Sequence, residues 1–105
     1  MEQLQIELHR WRQKNFPGVT ATEQLLGMME ELGELTHSLV KQERKIRGEY
    51  SFHERQMQDA IADLVIYTMG FCSCRGWDFT KIVETTARKV MSRDWVTYPE
   101  LGYPG

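Results

Sequence analysis

Residues 60–72 read AIADLVIYTMGFC, a stretch that is apolar almost all the way around a helix. Such a pattern indicates a helix that is buried on most of its sides. The one ionisable carboxylate in this stretch is Asp63. Because a buried and unpaired carboxylate is costly, Asp63 requires a cation, a set of hydrogen-bond donors or a shifted pKa. The stretch therefore predicts a central helix that carries one chemically demanding residue.

Outward from this stretch, short breaks separate four helical segments. Capping-box signals, in which a hydroxyl and a Glu three residues later satisfy early amides, begin the second helix at Thr20 and the third at Ser51. Gly76 follows the third helix, where a left-handed C-cap is expected. Residues 96–105 hold two of the three prolines and are predicted to be extended. The helices are predicted at about residues 2–14, 20–47, 51–75 and 78–93.

The composition excludes several classes of protein. A chain of 105 residues fits one domain, 1–105, and the four helices predict an all-α, four-helix-bundle-like fold. The net charge of -2 argues against a nucleic-acid partner. No apolar run is long enough for a membrane span or a signal peptide, so no membrane partner is expected. Cys72 and Cys74 are too close together for an ordinary structural disulfide, which favours a reduced, cytoplasmic protein.

Acidic residues recur at helical spacing on two of the predicted helices. Residues 28–37 read MMEELGELTH and contain Glu31 and Glu34, while Asp59 and Asp63 lie one turn apart on the next helix. Each pair shares one side of its helix, so two adjacent helices could offer four carboxylates to one cation. Oxygen ligands of this kind suit Mg²⁺, with Mn²⁺ as a second possibility.

Structural explanations of the same acids remain open at this point. The second helix has an apolar stripe, and its glutamates could form a solvated face opposite that stripe. Asp63 could pair with Arg44 or Lys45 instead of a metal. We favour metal binding for Asp63 because the surrounding helix is apolar. The stripe consists of Leu25, Met28, Met29, Leu32, Leu39 and Val40.

The order of these motifs resembles the MazG-like and dCTP-pyrophosphatase-like all-α nucleotide pyrophosphohydrolases. The resemblance is carried by ELGEL on one helix and an Asp-rich turn leading into DLVIYT, and it extends over about residues 11–95. In that family an E-x-x-E pair and an E-x-x-D pair bind magnesium. Glu31 and Glu34 match the first pair and Asp63 matches the final Asp. Ala60 occupies the remaining position, so Asp59 stands in for it, as in D-A-x-x-D variants of the family.

The resemblance implies a magnesium-dependent hydrolysis of a nucleoside triphosphate, ribo or deoxy, into a monophosphate and pyrophosphate. It also implies that Lys89, with Arg93, contacts the substrate phosphates, and that Trp11 and Phe16 help hold the base. The structural alternatives are favourable cations at a helix C-terminus and a core role for Trp11. One metal ligand, or Glu30, would accept a proton from the attacking water. The family and the apolar third helix both point to a homodimer or homotetramer.

Two other classes of function compete with this interpretation. One is a non-catalytic helical binding module, whose acids decorate the surface. The other is a carboxylate-bridged redox metalloprotein, for which Glu34 and His37 have the Glu-x-x-His spacing of di-iron bundles. No second pair of that kind occurs, so this alternative ranks last. The chain also has no Gly-rich phosphate loop and no Cys/His pattern typical of zinc sites.

Overall fold

The structure is a computed structural model that describes all residues, 1–105. The chain folds into four α-helices and has no strand. The predicted all-α class is confirmed. None of the helices combines the length and the apolar character that crossing a bilayer requires. The helices are α1 (Glu2–Asn15), α2 (Ala21–Arg44), α3 (Tyr50–Cys74) and α4 (Phe79–Met91).

Two of the predicted helix-end signals act as expected. The Thr20 hydroxyl oxygen accepts a hydrogen bond from the Glu23 amide at 3.1 Å and donates one to the Glu23 carboxylate at 3.2 Å. After α3, Gly76 adopts φ +72°, the left-handed conformation that glycine reaches without strain. Both signals are local, so neighbouring residues determine them without help from the rest of the fold.

The predicted capping box at the start of α3 is wrong. The N-cap is Glu49, with no hydrogen bond from its side chain, and the helix begins at Tyr50. Glu54, the acid of the predicted box, instead accepts a hydrogen bond from the Gln42 side chain at 2.8 Å. The Glu54 carboxylate is therefore used between helices, where it joins the end of α2 to the start of α3.

Helices α2 and α3 form a long antiparallel hairpin that is the body of the molecule. Glycines permit close approach at two levels. Gly27 of α2 lies against the ring of Tyr67, and Gly70 of α3 lies beneath Gln24 and Arg12. A Cβ atom on Gly27 would lie 2.7 Å from Tyr67 Cζ, and one on Gly70 would lie 3.0 Å from Arg12 Cζ. Both distances are too short for ordinary packing, so these glycines determine how closely the elements approach.

We expect Gly27→Ala to destabilise the fold by about 1–2 kcal/mol, because overpacking outweighs the gain of about 1 kcal/mol in helix propensity. Urea denaturation at fixed protein concentration measures the change. In a Tyr67→Ala background the ring is absent, so the same substitution should be neutral or stabilising. Equal destabilisation in both backgrounds would show that the contact between Gly27 and Tyr67 does not limit the packing.

Helix α1 is fastened to the end of α3 by one side chain. The Gln5 amide nitrogen donates to the Ser73 hydroxyl at 3.1 Å and to the Trp77 carbonyl at 2.9 Å. The Gln5 amide oxygen accepts from the Phe79 amide at 2.9 Å. Gln5 thus joins α1, the end of α3 and the first residue of α4, and it is 8% exposed.

The C-terminal tail is folded in turns, so the prediction of an extended segment for residues 96–105 is wrong. Asp94 accepts hydrogen bonds from the amides of Val96 and Thr97, and its own amide donates to the Gly102 carbonyl at 2.6 Å. Hydrogen bonds from Thr97, more than any other cause, lower the pKa of Asp94. Pro99 is therefore accommodated in a turn.

The four helices do not close into a bundle, which differs from the predicted arrangement. The backbone of α2 packs against α3 alone, and α4 packs against α3 and α1. The radius of gyration is 17.8 Å, whereas about 13 Å is typical of a compact chain of this length. The accessible surface is 8110 Å², against about 6100 Å² for a compact monomer of 12.4 kDa.

The apolar stripe predicted on α2 lies on the side of the helix turned away from α3. Met29 is 64% exposed and Leu32 is 53% exposed. The side of α2 that contacts α3 instead carries Gln24, Gly27 and Glu31. Only three apolar side chains in the chain are fully buried: Ala60, Met69 and Cys72. The single chain consequently leaves uncovered the face that a helix of this pattern normally buries.

Candidate functional site

An open cavity of about 940 Å³ lies between α1 and the α2–α3 hairpin. Three carboxylates line it: Glu31 and Asp63, whose charges interact, and Glu23 in the first turn of α2. Gln24, which also lines the cavity, lies two helical turns, about 10 Å, from Glu31 along α2. The remaining wall is largely apolar and aromatic, and its members include Leu8, Trp11, Phe16, Val19, Ile66 and Tyr67.

Glu31 is the carboxylate with one oxygen atom that the fold shields from solvent. Its Oε2 atom is buried and has no hydrogen-bond partner. Burial is the largest cause that raises the pKa of Glu31, followed by the negative charges of Glu34 and Asp63, a hydrogen bond with Glu34 and the charge of Glu30. An unpartnered carboxylate oxygen beside further carboxylates is the electrostatic environment that a divalent cation relieves.

Asp63 is exposed, although its apolar surroundings in the sequence predicted that it would be buried. Ile61 and Ala62, the two residues before Asp63, are exposed as well. The alternative of an ion pair with Arg44 or Lys45 is also wrong, because Asp63 contributes to the charge around Glu31. Arg44 lies about 20 Å further along α2 from Glu31.

The predicted set of four carboxylates is brought together only in part. The charges of Glu34 and Asp63 both act on Glu31, whereas Asp59 is exposed and does not act on Glu31. Of these four residues, Glu31 and Asp63 line the cavity. No three His, Cys, Asp or Glu side chains are arranged to hold a metal ion as they stand. Glu34 and Asp63 are exposed, so both side chains are free to change rotamer.

The predicted base-binding aromatics lie together at the cavity. The ring centroids of Trp11 and Phe16 are 5.6 Å apart in an edge-to-face arrangement. The exposed fractions of the two side chains are 54% and 57%, so the alternative of a core role for Trp11 is wrong. Their exposed surfaces lie on the cavity wall, where they can contact a planar ligand.

The predicted phosphate-binding pair does not line this cavity. Lys89 lies on the exposed side of α4, which packs against α3 and α1 but not against α2. Arg93 lies beyond the end of α4 at Met91, with its guanidinium 5.9 Å from the Trp95 ring. The fourth helix was predicted to reach Arg93, but it ends earlier, so the two residues do not share a helix face.

The basic residue that does line the cavity is Arg12, which the sequence did not single out. Arg12 is only 5% exposed, whereas Arg10, two residues earlier on α1, is exposed. One available signal was the spacing of Leu8, Trp11 and Arg12, which places them on neighbouring sides of α1. Tyr67 was also missed, and its ring separates the level of Gln24 from that of Glu31.

Comparison with protein-family models, with curated proteins and with solved structures finds no match to this chain. The argument about function therefore depends on the cavity and its side chains.

We expect the stability of the metal-free protein to fall as pH rises, because of Glu31. Its pKa is raised in the folded state above the model value of 4.5, so protonated Glu31 favours folding and ionised Glu31 opposes it. This contribution is present below pH 4.5 and is lost as pH rises through the folded-state pKa. Glu31→Gln should then unfold at a higher temperature than the wild type at neutral pH in EDTA.

Thermal unfolding of the wild type and Glu31→Gln between about pH 4 and pH 8 measures this difference, with Glu43→Gln as the matched control on an exposed acid of the same helix that does not act on Glu31. The difference between wild type and Glu31→Gln should widen with increasing pH. A difference that does not change with pH would rule out the burial of an ionised Glu31 as its cause.

Proposed function

We propose that this protein is a magnesium-dependent nucleoside triphosphate pyrophosphohydrolase, which splits a ribo- or deoxynucleoside triphosphate into a monophosphate and pyrophosphate. The observation that carries the proposal is the buried, unpartnered oxygen of Glu31 next to Glu34 and Asp63. Glu31 also lines the cavity that presents the aromatic pair Trp11 and Phe16. A nucleoside triphosphate would need both features in one cavity. Its phosphate chain needs a cation site, and its planar base needs an aromatic surface.

Glu31, Glu34 and Asp63 are the residues that would hold the divalent cation, with Asp59 as a more distant contributor. Bound there, magnesium would neutralise phosphate charge and lower the pKa of an attacking water. Glu31 keeps one oxygen turned into the protein, so the rotatable side chains of Glu34 and Asp63 would complete the site. Glu30 is exposed on the same helix and is a candidate to accept the proton of the water.

The other end of the nucleotide would contact Trp11 and Phe16. Aromatic side chains bind a base through the face of its ring, so contact alone does not select one base. The distance of about 10 Å along α2 from Glu31 to Gln24 accommodates a sugar between the phosphates and the base. Gln24 can also offer a donor and an acceptor, although it is itself only 4% exposed.

We further propose that the active form is a homodimer or a larger symmetric assembly. The excess accessible surface of about 2000 Å² per chain is the area that an obligate interface buries. The exposed stripe of α2 is the face that a second copy would cover. Lys89 does not line the cavity of its own chain, so a phosphate contact from Lys89 would have to come from a partner chain.

A panel of ribo- and deoxynucleoside triphosphates, incubated with magnesium and assayed for pyrophosphate, tests the proposed reaction. The expected products are a monophosphate and pyrophosphate in equal amounts, with no release in EDTA. Release of inorganic phosphate alone would contradict cleavage between the α and β phosphates. Nucleotide binding without any product would favour the non-catalytic binding module instead.

A further inference from the structure

A second and smaller cavity, of about 360 Å³, lies where the ends of three helices meet. Its wall comes from α1, from the first residues of α2 and from the end of α3. The cavity contains two arginines and no carboxylate, in a chain whose net charge is -2. The polar side chains in its wall are His9, Arg12, Gln13, Thr20, Ser73, Cys74 and Arg75.

Arg12 is the residue that indicates a ligand in this cavity. The Arg12 side chain is only 5% exposed, and its Nη1 atom is buried without a hydrogen-bond partner. Burial lowers the pKa of Arg12, and the nearby Cys74 opposes this effect. A buried guanidinium is almost always paired, so the chain leaves a donor for an acceptor that it does not itself supply.

The first turn of α2 supplies further donors to the same cavity. The backbone amides of Ala21 and Thr22 have no acceptor within the chain, whereas the Glu23 amide is capped by Thr20. Of these two residues, Ala21 lines the cavity. This end of a 24-residue helix also carries the positive pole of the helix dipole. On the opposite wall, the Arg75 guanidinium lies 5.5 Å from the centre of the Trp77 ring, which helps to hold it in place.

We propose that this cavity binds a phosphoryl anion, either inorganic phosphate or the phosphate of a nucleotide. Arg12 and Arg75 supply charge, and the amides at the start of α2 supply directed hydrogen bonds. The site is separate from Glu31 and Asp63, and binding there requires neither metal nor hydrolysis. Because Arg12 also lines the larger cavity, an anion bound here fixes one wall of that cavity as well.

Titration of the full-length protein with inorganic phosphate in EDTA tests the proposal. Thermal unfolding and the phosphorus NMR linewidth are the two measurements, with chloride at the same ionic strength as the reference. The wild type should gain stability with phosphate and not with chloride. Arg75→Gln should weaken binding about tenfold, which is the loss expected for one charge-assisted contact of about 1.4 kcal/mol.

Ala21→Pro is a second variant that leaves the fold intact. Proline is favoured at the first position of a helix, and the extended backbone of Thr20 before it, with ψ 161°, suits a residue that precedes proline. The substitution removes one of the free amides and should also weaken phosphate binding. Arg10→Gln is the matched control, because it removes the same charge from an exposed arginine outside the cavity.

The results separate the possible ligands and locate the site. A nucleoside monophosphate that binds with the same dependence on Arg75 identifies the phosphate of a nucleotide as a ligand. Phosphate that binds while the monophosphate does not identifies the free ion. No stabilisation of the wild type, or an equal loss in Arg10→Gln and Arg75→Gln, would overturn the proposal. So would tighter binding in Glu31→Gln with Arg75→Gln unaffected, because removing a carboxylate from the larger cavity favours an anion only if the anion binds there.

Discussion

Asp63→Asn is expected to reduce magnesium-dependent pyrophosphate release about a thousandfold, while leaving the helical circular dichroism spectrum intact. The substitution removes a negative charge near Glu31 and keeps the size of the side chain. Cations of this kind contribute several kcal/mol to transition-state stabilisation, and about 4 kcal/mol corresponds to a thousandfold change in rate. The fold should persist because Asp63 is exposed and carries no structural contact that the substitution would break.

Asp59→Asn provides the matched control for this prediction. Asp59 lies one turn earlier on the same helix, but its charge does not act on Glu31 and it does not line the cavity. Its replacement should therefore slow turnover less than that of Asp63, chiefly at limiting magnesium, through a water-mediated contact. Magnesium titrations of both variants measure this difference. Wild-type activity in Asp63→Asn would contradict the assignment of the site.

Leu32→Glu is expected to dissociate the assembly and to unfold the resulting chains. Leu32 lies in the exposed stripe of α2 and is 53% exposed in the single chain. In a two-fold symmetric dimer each substitution occurs twice. Losing the burial of two leucines costs about 3–6 kcal/mol, before the cost of bringing two carboxylates into an apolar interface. The dissociation constant should rise by about a hundredfold to ten-thousandfold or more.

Sedimentation velocity over a range of concentrations measures the dissociation, and circular dichroism follows the helices in the same samples. His37→Glu is the matched control, because it places the same charge on the polar side of α2, away from the stripe. This variant should remain assembled. A wild-type protein that stays monomeric at micromolar concentration would contradict the proposed interface and leave the exposed stripe unexplained.

The features that could be predicted correctly are those that depend on residues close together in the sequence. Helix number, the Thr20 cap and the left-handed Gly76 follow from periodicity and from hydrogen bonds within a few residues. The acidic spacing on α2 and α3 was equally readable, because residues three or four apart share a helix face. Since α2 and α3 are adjacent in sequence, a short connection made an antiparallel pair the expected arrangement, and this pair brings Asp63 near Glu31.

Tertiary structure alone decided which polar groups lose their water. The sequence indicated Asp63 as the buried acid, yet Glu31 has the buried oxygen and Asp63 is exposed. Arg10 and Arg12 are both arginines, two residues apart on α1, but only Arg12 lies next to Gly70 and Gln24. Burial depends on which helix covers which face, and that depends on the distances between elements far apart in the chain. The spacing of apolar and polar residues shows which residues share one face of a helix. It does not show which other element packs against that face.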